Sequence, residues 1–192
     1  MQQAITDSPR FLWVDYQIRE LCGLALERDI HSRLGKLPKD LTGVYNEIMA
    51  SVMGQPGSSP QIATRALKWM AVSQRPLNPK ELIAAAELDL ATVIDSVAGA
   101  LAPELTLDIE LLIQLCGGLL LWDKKLDVIR FSHLSVQEYL ETESMNKHWD
   151  IIDAQRLVME ACLWILQCPY PHESVPLHSY AAGHWFRHCR SY

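Results

Sequence analysis

The sequence predicts a mostly α-helical protein that carries one short β-hairpin. Three observations carry this: apolar residues recur at helical spacing through most of the 192-residue chain, helix caps recur at intervals, and the period changes between residues 119 and 131. About half of the residues are apolar (49%) and 21% are charged, enough for a packed core and too apolar for a disordered chain.

The first helix follows from Phe11, Val14, Ile18, Leu21, Cys22 and Ala25, and Ile30 and Leu34 continue a second short one up to Leu37-Pro38. Asp40 then caps a helix whose buried face is Leu41, Val44, Tyr45, Ile48, Met49 and Val52. The stretch Gly54-Gln55-Pro56-Gly57-Ser58-Ser59-Pro60 has no large apolar residue and many turn formers, so a new unit is expected after it.

That unit starts with Ser59 read as an N-cap and Pro60 as the first helical residue, followed by Ile62, Ala66, Leu67, Trp69 and Met70. Arg75-Pro76 stops it. Asn78-Pro79-Lys80-Glu81 predicts a reciprocal cap, Asn78 accepting the Glu81 amide and the Glu81 carboxylate reaching back. Residues 89–103 fit a helix weakened by Gly99 or a loop, and the pattern does not choose. From Asp108, Ile109, Leu112, Ile113, Leu115 and Cys116 mark a third helix closed by Gly117-Gly118.

Leu119 to Trp122 and Val128 to Phe131 are short apolar runs around a charged tip at 123–127, a hairpin signal. Three helices and a hairpin in this order predict a winged helix. Ser135-Val136-Gln137-Glu138 reads as a serine-to-glutamate capping box that opens the next helix, with His133 just before it, and Gln137 and Glu138 are assigned structure rather than acid catalysis. Residues 153–167 and 176–189 predict two more helices joined by a turn at Pro169 to Pro171. The expected domains are a helical lead-in (1–58), the winged helix (59–145) and a helical connector (146–192).

Composition excludes several functions. The formal charge is −6 and the basic residues are scattered, which argues against a polyanion partner. The predicted third helix, Asp108 to Gln114, has two acids and no base, and the wing lysines Lys124 and Lys125 are few, so groove-reading of DNA is not expected. Five cysteines with no C-x-x-C pair suit a reducing compartment, and a cytoplasmic location is expected. The N-terminus has no secretory signal pattern, and the apolar windows 111–122 and 158–166 are too short for a membrane span. His184 and His188 are four apart but lack a third ligand, so no metal site is assigned. No G-x-x-x-x-G-K-[ST] and no G-x-S-x-G occurs, and catalysis by this chain is not expected.

The run Arg130-Phe131-Ser132-His133-Leu134-Ser135-Val136-Gln137-Glu138-Tyr139-Leu140 resembles the F-x-H-x-[ST]-[FV]-Q-E-[FY] signature that closes the winged helix of NACHT-type STAND ATPases, the class that includes NOD-like receptors. Leu37-Pro38, Tyr45, Ala66 to Trp69, Arg75-Pro76-Leu77, Glu81-Leu82 and Cys116 to Leu120 resemble the same region of fungal NACHT proteins with ankyrin repeats, also called the winged-helix domain of GPI inositol-deacylase-like proteins. Pro176 to Trp185 is similar to the connector before an ankyrin array, although no repeat of 20 to 50 residues is visible.

The resemblance implies a non-catalytic regulatory segment detached from its nucleotide-binding core. In the parent architecture it couples nucleotide state to a C-terminal repeat sensor, with His133 approaching the β-phosphate of ADP. Alone, the chain is expected to need no cofactor, ADP and ATP belonging to the parent. The partners implied are the NACHT core and the ankyrin-type repeats, with neither nucleic acid nor membrane. The alternative is a free-standing helical adaptor that binds another protein, for which Trp185 and Phe186 are the candidate docking patch.

Overall fold

The computed structural model describes residues 21–34, 40–90, 107–141, 150–167 and 175–190, together with 14 and 18. The predicted turn at Pro169 to Pro171, most of the ambiguous segment 89–103, and most of the helix expected from Phe11 lie outside the described residues. The chain divides into two units, Met1–Ser51 and Val52–Tyr192.

The first unit contains α1 (Glu27–Leu34) and most of α2 (Leu41–Met53). Asp40 caps α2 as its sequence predicts, its Oδ1 accepting the Gly43 amide at 2.7 Å. The α2 stripe Val44, Tyr45 and Met49 is turned away from solvent.

In the second unit α3 (Ser59–Val72), α4 (Pro79–Glu87) and α5 (Ile109–Leu115) are followed by β1 (Leu120–Asp123), β2 (Val128–Phe131), α6 (Leu134–Glu141), α7 (Ile151–Gln167) and α8 (His178–Arg190). The cap of α3 is Ser58, one residue before the serine expected. The left-handed Gly57 (φ +67) turns the chain early enough for the Ser58 carbonyl to accept the first helical bond, from the Ile62 amide at 3.1 Å. Ser58 makes no side-chain cap bond, and Pro60 takes the second helical position, where its missing amide hydrogen costs nothing.

The α4 box forms as predicted: the Glu81 amide donates to Asn78 Oδ1 at 2.9 Å, and the Asn78 amide donates to Glu81 Oε2 at 3.0 Å. Gly117 (φ +64) and Gly118 (φ +72) close α5 in the left-handed region, the Gly118 amide reaching back to the Ile113 carbonyl at 3.1 Å.

The antiparallel hairpin pairs Leu120 with Phe131 and Asp123 with Val128. Its tip is organised by Asp123 Oδ1, which accepts the Lys125 and Leu126 amides at 3.1 and 3.3 Å, and by Asp127 at φ +52. One pairing has no local sequence signal: the Ile129 amide donates to the Leu77 carbonyl at 2.8 Å, adding an isolated bridge from the α3–α4 connection to the wing.

Helix α3 is the centre of the unit, packing against α4, α5, α6 and α7, while α8 lies along α7. Leu67, Leu77, Leu82, Leu112, Leu119, Leu120, Ile129 and Leu140 are all removed from water, each contributing about 2 kcal/mol of hydrophobic stabilisation. Three helices and a two-stranded flap around this core make a winged helix. Among the described residues no helix is long and apolar enough to cross a membrane.

Candidate functional site

His133 sits between the end of β2 and the start of α6, where the chain reverses from strand to helix. The helix begins at Leu134, one residue after His133. Its Nδ1 accepts the Ser135 amide at 3.1 Å and lies 2.6 Å from the Ser135 hydroxyl. An imidazole Nδ1 stands as far from its Cα as an asparagine side-chain oxygen does, so histidine can cap as asparagine would. Ser135 therefore lies in the first turn. Glu138, three residues further on, is exposed, and Gln137 donates to Glu141 at 2.7 Å.

The cap also sets the ring chemistry. A nitrogen that accepts an amide hydrogen carries no hydrogen of its own, which puts the neutral ring's hydrogen on Nε2. His133 is half-buried and lines an open groove of ≈ 620 Å³ beneath the wing, with Gln74, Arg75, Arg130 and Gln137 among the polar walls. Both arginines are preset by carboxylates. Arg75 holds Glu81 through two bonds of 2.9 and 2.7 Å, which raises its guanidinium pKa further, and Arg130 lies 3.3 Å from Asp123. Most of the groove's walls are apolar, Leu77, Ile129 and Phe131 among them, and its guanidinium and amide side chains are engaged within the chain, Gln74 with the Val72 carbonyl at 3.2 Å and Gln137 with Glu141.

A second groove, ≈ 460 Å³ between α3 and α7, has charges paired among themselves. Arg65 meets Asp89 at 3.3 Å, and Asp153 is held by Lys68 and by Arg156 at 2.6 Å. The Lys68 hydrogen bond is the main reason the Asp153 carboxyl titrates below its usual range. That cluster ties α7 to α3 and has its charges already satisfied.

The other singled-out residues fall apart spatially. Asn78 and Glu81 form the α4 cap, touching the groove only through Arg75. Trp185 (37% exposed) and Phe186 (43%) of the candidate docking patch are exposed on α8. His188, considered with His184 as a metal ligand, is fully buried with both ring nitrogens engaged, Nε2 by Tyr180 Oη at 2.9 Å and Nδ1 by Gln155 Oε1 at 2.6 Å. No group of three metal-capable side chains occurs among the described residues. Burial pushes the His188 pKa down to about 4, and it pushes the thiols of Cys116 and Cys162 up to about 12.

Sequence reasoning missed Arg75 as a wall of the groove and the buried contacts of Tyr180. The first signal was available, since Arg75 stands six residues before a capping glutamate, but pairing the two requires the α3–α4 turn to double back. The second was not, because Gln74 and Tyr180 are 106 positions apart.

Comparison with known proteins gives one family. The model of the GPI inositol-deacylase winged helix domain matches residues 49–152, more than half of the chain. No curated protein and no solved structure matches. The matched span runs from the end of α2 through the wing and α6 to the start of α7, and so takes in the groove and His133. The chain belongs to the GPI inositol-deacylase winged helix domain family.

Proposed function

We propose that this chain is the regulatory winged-helix segment of a NACHT-type STAND signalling ATPase, acting by packing and not by catalysis. In this reading it closes over a nucleotide-binding core in the cytoplasm, and its C-terminal helices pass the nucleotide state to a repeat sensor. The observation that carries the reading is the placement of His133. Its ring is held by the α6 cap at the edge of an open groove, with Nε2 as the hydrogen-bearing nitrogen and Arg75 and Arg130 lining the same space. In this reading the imidazole and the two arginines, drawn away from Glu81 and Asp123, meet the terminal phosphate of a diphosphate.

Neither the lone groove nor the sequence supplies a phosphate-binding loop, so the chain by itself is expected to be silent toward ADP and ATP. The test is calorimetric titration of ADP into three samples: a NACHT core alone, the core with this chain, and the core with the His133→Ala chain. The reading expects tighter ADP binding with the wild-type chain, at least tenfold of it lost in the variant, which corresponds to about 1.4 kcal/mol. Equal affinities in all three samples would overturn it.

One observation favours a second reading, an adaptor that binds another protein: the outward Trp185 and Phe186 rings on α8. Nucleic-acid binding has less support, because α5 exposes Glu110, and the wing's Lys124 lies 3.5 Å from that acid instead of facing outward alone.

A further inference from the structure

We propose that the turn at residues 73–76 is a two-sided joint through which the seating of α8 and the occupancy of the His133 groove by an oxyanion are linked. The proposal rests on the oxyanion reading of the groove and adds the route by which its state reaches the C-terminal helix. On one side of the turn, Gln74, Arg75 and Pro76 line the groove together with His133. On the other side, the Gln74 amide donates to Tyr180 Oη at 2.9 Å, and the Arg75 guanidinium lies 5.2 Å from the centre of the Tyr180 ring.

Tyr180 is in the first turn of α8 and fully buried, its ring set edge-on against Trp69 of α3 at 5.4 Å. Beyond it the bonds have only one consistent direction. The Gln155 side-chain oxygen can only accept, so His188 Nδ1 carries the hydrogen. His188 Nε2 then accepts the Tyr180 hydroxyl hydrogen, and the Tyr180 oxygen accepts the Gln74 amide. A single chain of three bonds therefore joins α7, α8 and the groove-lining turn.

Arg75 borders both sides, since the residue lines the groove while its guanidinium holds Glu81 and lies against Tyr180. An oxyanion in the groove competes with Glu81 and the Tyr180 ring for Arg75, and any shift of Arg75 loosens the ring that seats α8. Linkage makes the effect reciprocal: unseating α8 frees Arg75 and the Gln74 amide. A proton is a convenient ligand for the α8 end, since a hydrogen on His188 Nε2 faces the Tyr180 hydroxyl and breaks the chain. The groups that bear on that ring are Tyr180, which it bonds, and His184; Arg187 and Arg75 act in turn on His184, and Cys162 of α7 on Tyr180.

The experiment is a nuclear magnetic resonance titration of the whole isotope-labelled chain from pH 7.5 to 3.5, with no nucleotide and no core. The His188 ring, the Gln74 amide and the Arg75 Nε–H are expected to move with one midpoint, while the Leu121 amide in the wing stays still. In His188→Gln, whose side-chain oxygen can accept from Tyr180, the Gln74 and Arg75 signals are expected to stay fixed. Arg75→Gln is expected to raise the His188 midpoint by about half a unit, roughly threefold in proton affinity, whereas Asn78→Ala, which weakens the α4 cap and leaves Arg75 on Tyr180, does not. The joint is overturned if Gln74 and Arg75 ignore the His188 titration, if both substitutions shift the midpoint equally, or if every amide collapses together, the wing included. Because no nucleotide is involved, failure here leaves the lid reading standing, whereas failure of the ADP titration removes the oxyanion arm of the joint and leaves only the tie between α8 and the turn.

Discussion

Replacing Glu81 by alanine removes three things at once: the back-reaching half of the α4 capping box, both hydrogen bonds to Arg75, and a carboxylate that is almost wholly buried (3% exposed). Loss of a cap costs about 1 kcal/mol. Charge-assisted bonds contribute about 1.5–3 kcal/mol, but the Arg75 side chain is 36% exposed and water recovers part of that. Since these terms share one side chain they do not add in full, and the expected loss is about 2–3 kcal/mol. For a chain of this size that corresponds to a fall in Tm of roughly 6–10 °C. Glu81→Gln, which can still accept the Asn78 amide but has no charge, should lose about half as much. The assay is urea unfolding followed by circular dichroism, with thermal melts in parallel. A loss under 1 kcal/mol for Glu81→Ala would refute the argument that this carboxylate fixes the turn between α3 and α4.

Stability is expected to fall as pH drops from 6.5 to 4. In that window the unfolded His188 binds a proton that the folded ring refuses, so its contribution of up to about 3 kcal/mol is complete above pH 6.5 and gone below 4. Denaturant melts across that range should show the slope, and His188→Gln should flatten it. A further loss is expected below the ordinary carboxylate range, where Asp153 gives up its bond to Lys68. Brief alkylation of the native chain followed by peptide mapping should label exposed Cys22 and spare Cys116 and Cys162, both buried with thiols near 12; early labelling of Cys116 would contradict the core as described.

Much of the winged helix was legible in short-range chemistry. Asn78 and Glu81 are three residues apart and need only each other, Gly117 and Gly118 end α5 because a side chain there would strain the backbone, and the 119–131 alternation needs only a turn at its centre. Cap assignment failed at α3, where two neighbouring serines could serve and the left-handed Gly57 decides for Ser58; at α6 the His133 Nδ1 accepts the second amide of the helix, a bond the serine pattern does not suggest.

The groove itself was only half legible. The signature run singles out His133, but Arg75 joins it because Leu77 bridges to Ile129 and draws the α3–α4 turn beneath the wing. Tyr180, His188 and Gln155 meet only after α8 has folded back along α7, a long-range event with no periodic trace in the sequence. His188 looks like half of a metal pair on paper, and its burial between a tyrosine and a glutamine makes it a structural group.

The central claim concerns one imidazole and one phosphate. With the chain bound to an ADP-loaded NACHT core, a proton–phosphorus correlation experiment should show the His133 Nε2 hydrogen in contact with the β-phosphate, and the contact should vanish in the Arg75→Gln chain if that arginine helps hold the anion. A well-formed complex in which the His133 ring shows no phosphorus contact, with its hydrogen on Nδ1, would contradict the account.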